Sequence, residues 1–472
     1  MTYDDAIAHL DSFTNYEHQH QPQAMREVKL ERMQRLCSRL GDPQRRFRSV
    51  IVAGTNGKGS ICAMLYSMLR ESALRVGLYT SPHLENLRER IRVWTSTEQP
   101  AERIPGDDWI SETEFATAME QLEPALESMR RDPSFGPPTY FEVLTALALV
   151  SFRQRQVDVA ILEVGLGGRL DATNVVEPDV SVIAPIDLDH TDVLGQEPRQ
   201  IAHEKAGIIK PGQVVLSAAQ REEVWDALRT VCEEQGVPLL RYGRELSGRV
   251  ERHTLEGLHV SLTGLRGIYE SLSLPLLGRH QAQNAALAVG ALEALSTSGV
   301  PHSLVERGLA RVAWPGRIEV VQGAPLVLMD GAHNAHAASA LAATLAELCP
   351  GRRIHLLVGM SADKSVEGFG EQLGSLVVGA TCTKSRHPRA LDPTTLAKRL
   401  APLCPDVHVM SDLADAYTYL LNAVSPNDVI VVSGSLFLVG ELRTALRHAD
   451  IEVESRGRQR DWEGTAQVQT VE

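Results

Sequence analysis

No stretch of this sequence approaches the ~18 consecutive apolar residues that a membrane-spanning helix needs. Cysteine is scarce: Cys37, Cys62, Cys232, Cys349, Cys382 and Cys404 are scattered, with no C-x-x-C pair. That spacing argues against a disulfide frame or a zinc site and reads as reduced thiols. No basic block occurs, and 47 Lys and Arg against 60 Asp and Glu leave a formal charge of −13. An acidic balance of this kind argues against nucleic acid or an anionic membrane as the main partner. The opening Met1-Thr2-Tyr3-Asp4-Asp5 is acidic and lacks the charged-then-apolar form of a signal peptide. The expectation is a soluble, cytoplasmic protein that works on small molecules.

What is there is a core. The 472 residues are 43% apolar, enough for two or three domains at ~150 residues each. The chain is organised around Gly54-Thr55-Asn56-Gly57-Lys58-Gly59-Ser60. A β-branched run at 49–52 precedes it and a helical pattern over 61–70 follows it. Strand, glycine-rich turn, lysine and helix make a phosphate cradle: backbone N–H groups turn inward and the helix N-terminus adds its positive end. Lys58 is placed to reach the outer phosphates of a nucleotide. Gly59 stands where the usual pattern has Ser or Thr, and Ser60 follows one residue late.

Further polar residues sit just past predicted strands. The strand at 75–80 ends in Ser81-Pro82-His83-Leu84, the strand at 157–164, read as fully buried, carries Glu163 near its C-terminal end, and the strand at 180–183 leads to Asp189-His190-Thr191. Loops after parallel strands are where open α/β sheets bind ligands. Ser81, Glu163 and His190 with the P-loop therefore describe a Mg²⁺–nucleotide site. Arg88, Arg90 and Arg92 suit either carboxylates or a solvated face, the cluster at 15–20 with His18 and His20 reads as solvated surface, and Lys205 as a surface lysine. Residues 243–274 alternate like a small antiparallel meander. Beyond 313–317 a second α/β series begins, with Asp330-Gly331-Ala332-His333-Asn334 and Ser433-Gly434-Ser435 after its strands. Residues 456–472 are polar, lack periodicity and are expected to be disordered. The predicted division is 1–313 for an ATP-binding domain, 314–455 for a C-terminal domain and 456–472 for the tail. Arg317 and Asp330 lie near that boundary, where domain closure would exclude water. From the residues alone, the protein is an ATP-dependent transferase or ligase.

Taken in order, the motifs resemble a known family. The cradle, Thr80-Ser81-Pro82-His83-Leu84 and Tyr140-Phe141-Glu142 are followed by Leu162-Glu163-Val164-Gly165-Leu166-Gly167-Gly168-Arg169-Leu170-Asp171-Ala172-Thr173-Asn174. Then come Asp189-His190-Thr191 with Leu194-Gly195, Glu204-Lys205-Ala206-Gly207-Ile208, Gly278-Arg279-His280-Gln281 with Asn284, Trp314-Pro315-Gly316-Arg317, and the Asp330 and Ser433 loops. This series resembles the folylpolyglutamate synthase/dihydrofolate synthase branch of the Mur ligase superfamily, over about residues 50–440. The order Lys58-Gly59-Ser60 is usual in that branch.

The resemblance implies a P-loop-containing Mur-ligase-like central domain, with a parallel sheet and a small antiparallel sheet, followed by a smaller Rossmann-like glutamate-ligase domain. It implies ATP held by Thr55, Asn56, Gly57, Lys58, Gly59, Ser60, Asn284, Arg317 and Asp330. It implies one Mg²⁺ ion or two, on Ser81, Glu163, His190 and, if carbamylated, Lys205. Arg169 and Asp171 would lie on the pteridine side, and His333 and Ser435 would meet the incoming glutamate. Lys58, Lys205 and His333 are the implied catalytic residues. The implied reaction is amide formation between L-glutamate and dihydropteroate, or the γ-carboxylate of a reduced folate, through an acyl phosphate, by a monomer. Two other readings stand beside it: another Mur-type amino-acid ligase, disfavoured by the short stretch ahead of the P-loop, and a P-loop ATP-dependent switch without ligase activity.

Overall fold

The structure is a computed structural model that describes residues 1–19, 22, 29–95, 106–132 and 136–447. His20 and the tail at 456–472 lie outside the described residues. Two compact units are present: residues 1–318 with 339–350, and residues 319–338 with those from 351 onward.

The first unit is built on a seven-stranded sheet of order β3-β2-β4-β1-β5-β6-β7. Its strands are β1 (Arg48–Ala53), β2 (Val76–Tyr79), β3 (Ile91–Trp94), β4 (Val159–Glu163), β5 (Val180–Ile183), β6 (Val214–Ser217) and β7 (Leu239–Arg241). All pairs are parallel except β3 with β2. Every residue of β4 and β5 is buried, as expected of strands covered on both faces. Successive residues of β1 serve opposite faces: Ile51 and Ala53 join one apolar cluster, Val50 and Val52 the other. The helix Lys58–Leu69 is apolar all round and buries every residue after Lys58, packing against the equally apolar helix His280–Leu295. The helices Glu112–Arg130 and Tyr140–Gln154 start with capping boxes on Ser111 with Glu114 and Thr139 with Glu142.

An antiparallel meander follows, of β8 (Ser247–Thr254), β9 (Gly257–Thr263) and β10 (Ile268–Leu274). The second unit has a six-stranded sheet of order β11-β12-β16-β13-β14-β15. These strands are β11 (Glu319–Gly323), β12 (Leu326–Met329), β13 (Ile354–Val358), β14 (Gly379–Cys382), β15 (Val407–Val409) and β16 (Val429–Ser433). Only β11 runs antiparallel.

The predicted fold class is what the chain adopts. Three details differ from the sequence reading. The stretch read as charged or loop contains the edge strand β3, and β11 and β14 were not anticipated. Short edge or semi-polar strands carry little periodic signal. All six cysteines are free thiols and buried. Among the described residues no helix is long and apolar enough to cross a membrane.

Candidate active site

Strand order brings the polar loops together. Along β2-β4-β1-β5, the C-terminal ends deliver Ser81, Glu163, the phosphate cradle and His190 in four neighbouring positions. Gly54 has φ +146° and a Cβ there would lie 2.6 Å from Ala184 Cβ. Gly57 has φ +88°, and its Cβ would lie 2.8 Å from Asn284 Oδ1. Only glycine permits this backbone beside these neighbours. Gly59 is closed over by the indole of Trp314, 2.9 Å from where a Cβ would stand. The cradle is tied to the β5 loop: Thr55 N–H donates to Pro185 O at 2.8 Å, and Asp187 N–H donates to Thr55 Oγ1 at 3.1 Å. Asn56 N–H also reaches Pro185 O, and Ser60 is buried in the first helical turn. Lys58 Nζ folds back onto the carbonyls of Gly54 and Thr55, both at 3.3 Å. A lysine ammonium over a glycine-rich turn at a helix start suits phosphate oxygens.

Glu163 is 6% exposed, and among the described residues its hydrogen-bond partner is the Ser81 N–H at 3.2 Å. Burial raises its carboxyl above the usual range, and the charges of Lys58 and Arg317 oppose this only in part. An under-compensated buried carboxylate beside a serine is chemistry that fits a hard divalent cation, and His190 follows β5, two strands along the same edge. His190 takes φ +49° at the start of the helix Thr191–Leu194, with its N–H on Asp189 Oδ1 at 2.9 Å. Among the described residues no three His, Cys, Asp or Glu side chains gather as a metal cluster. Ser81, Glu163 and His190 stand at the ends of β2, β4 and β5.

Lys205 is not a surface lysine. It is 5% exposed and its Nζ donates to Gly54 O at 2.7 Å. Burial, with Lys58 nearby, pushes it down to about 7. The residues near it gave no hint of this, because its partner lies 151 positions away in the chain.

In the loop after β4, Asp171 turns inward. Its oxygens accept from the N–H groups of Gly165, Leu166 and Thr173 and from the Thr173 hydroxyl. It therefore closes the glycine-rich loop on itself. Arg169 is half-exposed and pairs with Glu204 at 2.9 Å. Gly165 rests on Phe141, whose Cζ is 2.6 Å from where a Cβ would lie.

Asn284 is buried beside Gly57 and donates to Gln281 Oε1 at 2.9 Å. Arg317 is near enough to Glu163 to act on its charge. In the second unit, Asp330 and His333 follow β12, and Ser435 follows the adjacent β16. The two loops are joined by the Gly434 N–H on Ala332 O at 2.9 Å. Asp330 Oδ1 takes the Ala332 N–H at 2.9 Å, and His333 Nδ1 sits 2.8 Å from Gly331 O. Ser435 is buried, and its hydroxyl accepts from Phe437 N–H at 3.2 Å.

A cluster that the sequence reading passed over lies beside Ser81. Arg90 is 1% exposed and clamps Glu17 with two bonds of 2.8 and 2.6 Å. Its Nε donates to His83 Nδ1 at 2.9 Å. The solvated reading of residues 15–20 is thus corrected at Glu17, and of the three arginines Arg90 has a carboxylate partner deep in the fold. Glu89 is also buried and gathers the N–H groups of Leu84, Glu85 and Asn86, which sets the loop after Ser81.

Comparison with known proteins gives concordant results. The profile described as Mur ligase middle domain matches residues 134–292, and that of the Mur ligase glutamate ligase domain matches 316–436. The chain is 34% identical to the dihydrofolate synthase/folylpolyglutamate synthase of Bacillus subtilis over 424 residues, covering 89% of this chain and 95% of that one. It is similar to Escherichia coli FolC in complex with DHPP and ADP, with TM-score 0.82 at 31% identity, covering 95% of this chain and 99% of that one. It is similar also to the bifunctional folylpolyglutamate synthase/dihydrofolate synthase of Yersinia pestis complexed with AMPPNP and Mn ion, with TM-score 0.80 at 31% identity, covering 95% and 98%.

Proposed function

The chain belongs to the dihydrofolate synthase/folylpolyglutamate synthase family, and on that premise we propose that it joins L-glutamate to dihydropteroate, to the γ-carboxylate of reduced folates, or to both, at the cost of ATP. The observation that carries this reading is the neighbouring placement of Ser81, Glu163, the phosphate cradle and His190 on β2-β4-β1-β5.

The acid's carboxylate takes the γ-phosphoryl group of ATP, giving an acyl phosphate and ADP. The glutamate amine then displaces phosphate and forms the amide. The cradle N–H groups with Lys58 and Ser60 hold the phosphates, and Thr55 and Asn56 keep the loop against β5. Asn284, Arg317 and Asp330 complete the nucleotide contacts. Ser81, Glu163 and His190 are the residues that would hold Mg²⁺, which when bound neutralises charge on the transferring phosphoryl group. Lys205, held down to about 7, has a neutral amine available at physiological pH. Such an amine is the form that adds CO₂, and the resulting carbamate would extend the oxygen donor set toward a second ion. Asp171 keeps the glycine-rich loop closed with Arg169 at its rim, on the acid side. His333 and Ser435 are assigned to the glutamate.

We assign 1–313 to ATP binding, 314–455 to glutamate ligation and 456–472 to a tail. The protein is taken to act as a cytoplasmic monomer on small molecules alone, with no nucleic acid or membrane partner. Supporting this are its net charge and scattered thiols.

The test is ATP-dependent phosphate release with L-glutamate, comparing 7,8-dihydropteroate and a tetrahydrofolate. Release with one acid identifies the activity, and release with both makes the enzyme bifunctional. A folded, ATP-binding protein that releases phosphate with neither overturns the reading.

A further inference from the structure

The cluster of Glu17, Arg90 and His83 has no part in the roles assigned above. A guanidinium has only donors, so the Arg90 Nε bond of 2.9 Å requires an unprotonated Nδ1 on His83. The ring is then neutral and carries its hydrogen on Nε2. Arg90 can impose this tautomer because it is itself immobilised, buried at 1% exposure and held by both oxygens of Glu17. The His83 ring is half-buried, and among the described residues its Nε2 has no hydrogen-bond partner. With Nε2 protonated and Nδ1 engaged by Arg90, the ring has no lone pair for a metal ion. What the fold presents here is one neutral N–H donor of fixed direction.

The direction of approach follows from the sheet. β2 lies two positions from β1, with β4 between, which is about 10 Å at ~4.8 Å per strand. It lies on the side away from β5, β6 and β7. The neighbouring elements on that side are Phe141 with Gly165 of the β4 loop, and Tyr140, whose N–H donates to Thr14 O at 3.0 Å. With the glycine-rich loop after β4 assigned to the acid as proposed above, His83 borders the acid side of the site, with the nucleotide cradle beyond β4.

We infer that His83 donates its Nε2 hydrogen to an oxygen of the acid substrate, a carbonyl or carboxylate, and that Arg90 and Glu17 are positioning residues that hold this tautomer. The inference deepens the proposed function and rests on it.

The experiment is steady-state kinetics of His83→Gln, His83→Asn and His83→Ala, varying acid, ATP and L-glutamate in turn. Glutamine carries an amide donor close to the place of Nε2. Asparagine carries a carbonyl close to Nδ1, which keeps the Arg90 bond, but its amide nitrogen falls short of the place of Nε2. The expected result is an acid KM raised about tenfold in the Asn and Ala variants, the scale of one hydrogen bond at ~1.4 kcal/mol, with Gln within about threefold of wild type. KM for ATP and for glutamate stays within about twofold. A merely structural His83 gives the opposite order, with Asn near wild type and Gln as poor as Ala, and this overturns the inference. So does an equal rise in all three KM values. Should the Ala variant not fold, the Gln and Asn pair decides alone. Wild-type protein that turns over neither acid overturns the function and the inference together, whereas wild-type turnover with the Asn variant unimpaired overturns the inference only.

Discussion

The Nζ of Lys205 lies 2.7 Å from the carbonyl oxygen of Gly54, so a buried lysine is fastened to the first residue of the phosphate cradle. Burial moves this amine down to about 7, which keeps a large neutral fraction at physiological pH. Lys205→Ala is expected to lower ligation by about 100-fold or more while the fold persists. Depleting CO₂ should also lower wild-type activity, with recovery on adding bicarbonate, and intact-mass measurement should find one added CO₂. Near wild-type turnover in the Ala variant would count against the assignment.

Glu163 gives a trade between stability and function. Its carboxyl is raised above 4.5 by burial, so in the absence of metal the charged form is a burden on the folded state. A raised folded pKa contributes stability below the unfolded value, and that contribution is lost as pH rises through the folded value. Glu163→Gln should therefore melt higher than wild type at pH 7 without metal, and the gap should narrow as pH falls toward 4.5. The same variant should lose the thermal shift that Mg²⁺ with an ATP analogue produces in wild type. Differential scanning calorimetry with and without Mg²⁺ measures both.

Glu17 has the opposite sign. Arg90 holds its carboxyl below 4.5 in spite of burial. A lowered folded pKa contributes stability that is complete above 4.5 and lost as pH falls through the folded value. Glu17→Gln leaves a buried guanidinium without its counter-charge, at a cost of about 3 kcal/mol. Urea denaturation should find that difference at pH 7 and a shrinking one as pH falls below 4.5. A constant difference across that range would show that the ion pair is not its source.

Two glycine substitutions should separate the substrates. A Cβ at Gly57 would stand 2.8 Å from Asn284 Oδ1 on a φ +88° backbone, in the cradle proposed to hold the nucleotide. A Cβ at Gly165 would stand 2.6 Å from Phe141 Cζ, in the loop proposed to face the acid. Gly57→Ala is expected to raise the KM for ATP about tenfold or more with little change for the acid, and Gly165→Ala the reverse. Initial-rate kinetics on each variant tests the pairing.

Asp171 accepts three backbone N–H groups and one hydroxyl, so its loss should register as loop disorder. Asp171→Asn replaces an acceptor oxygen with a donor and is expected to destabilise by about 2 kcal/mol. Backbone amide exchange should rise at Gly165 and Leu166 if the loop opens, and remain unchanged elsewhere in the sheet.

Much of this was readable along the chain because it is local. A β-branched run before Gly54 and an apolar helix after Lys58 define the cradle within twenty residues or so, and the meander at 243–274 alternates as a half-buried sheet must. Ser81 and His190 follow, and Glu163 ends, a strand recognisable from composition, so the edge they share could be anticipated. β3 escaped notice because Arg92 interrupts its apolar residues and only one neighbour pairs with it.

Sequence by itself determined most of the element types, the cradle and the family, since each depends on residues within a turn or a strand of one another. Tertiary structure alone decided the order β2-β4-β1-β5, the burial of Lys205 under Gly54, and the Glu17–Arg90–His83 cluster, whose members are separated by up to 73 positions. Burial and long-range pairing set whether a lysine is neutral, a glutamate charged or a histidine a donor. Those states depend on desolvation and on partners brought in from distant segments, and no local pattern encodes them.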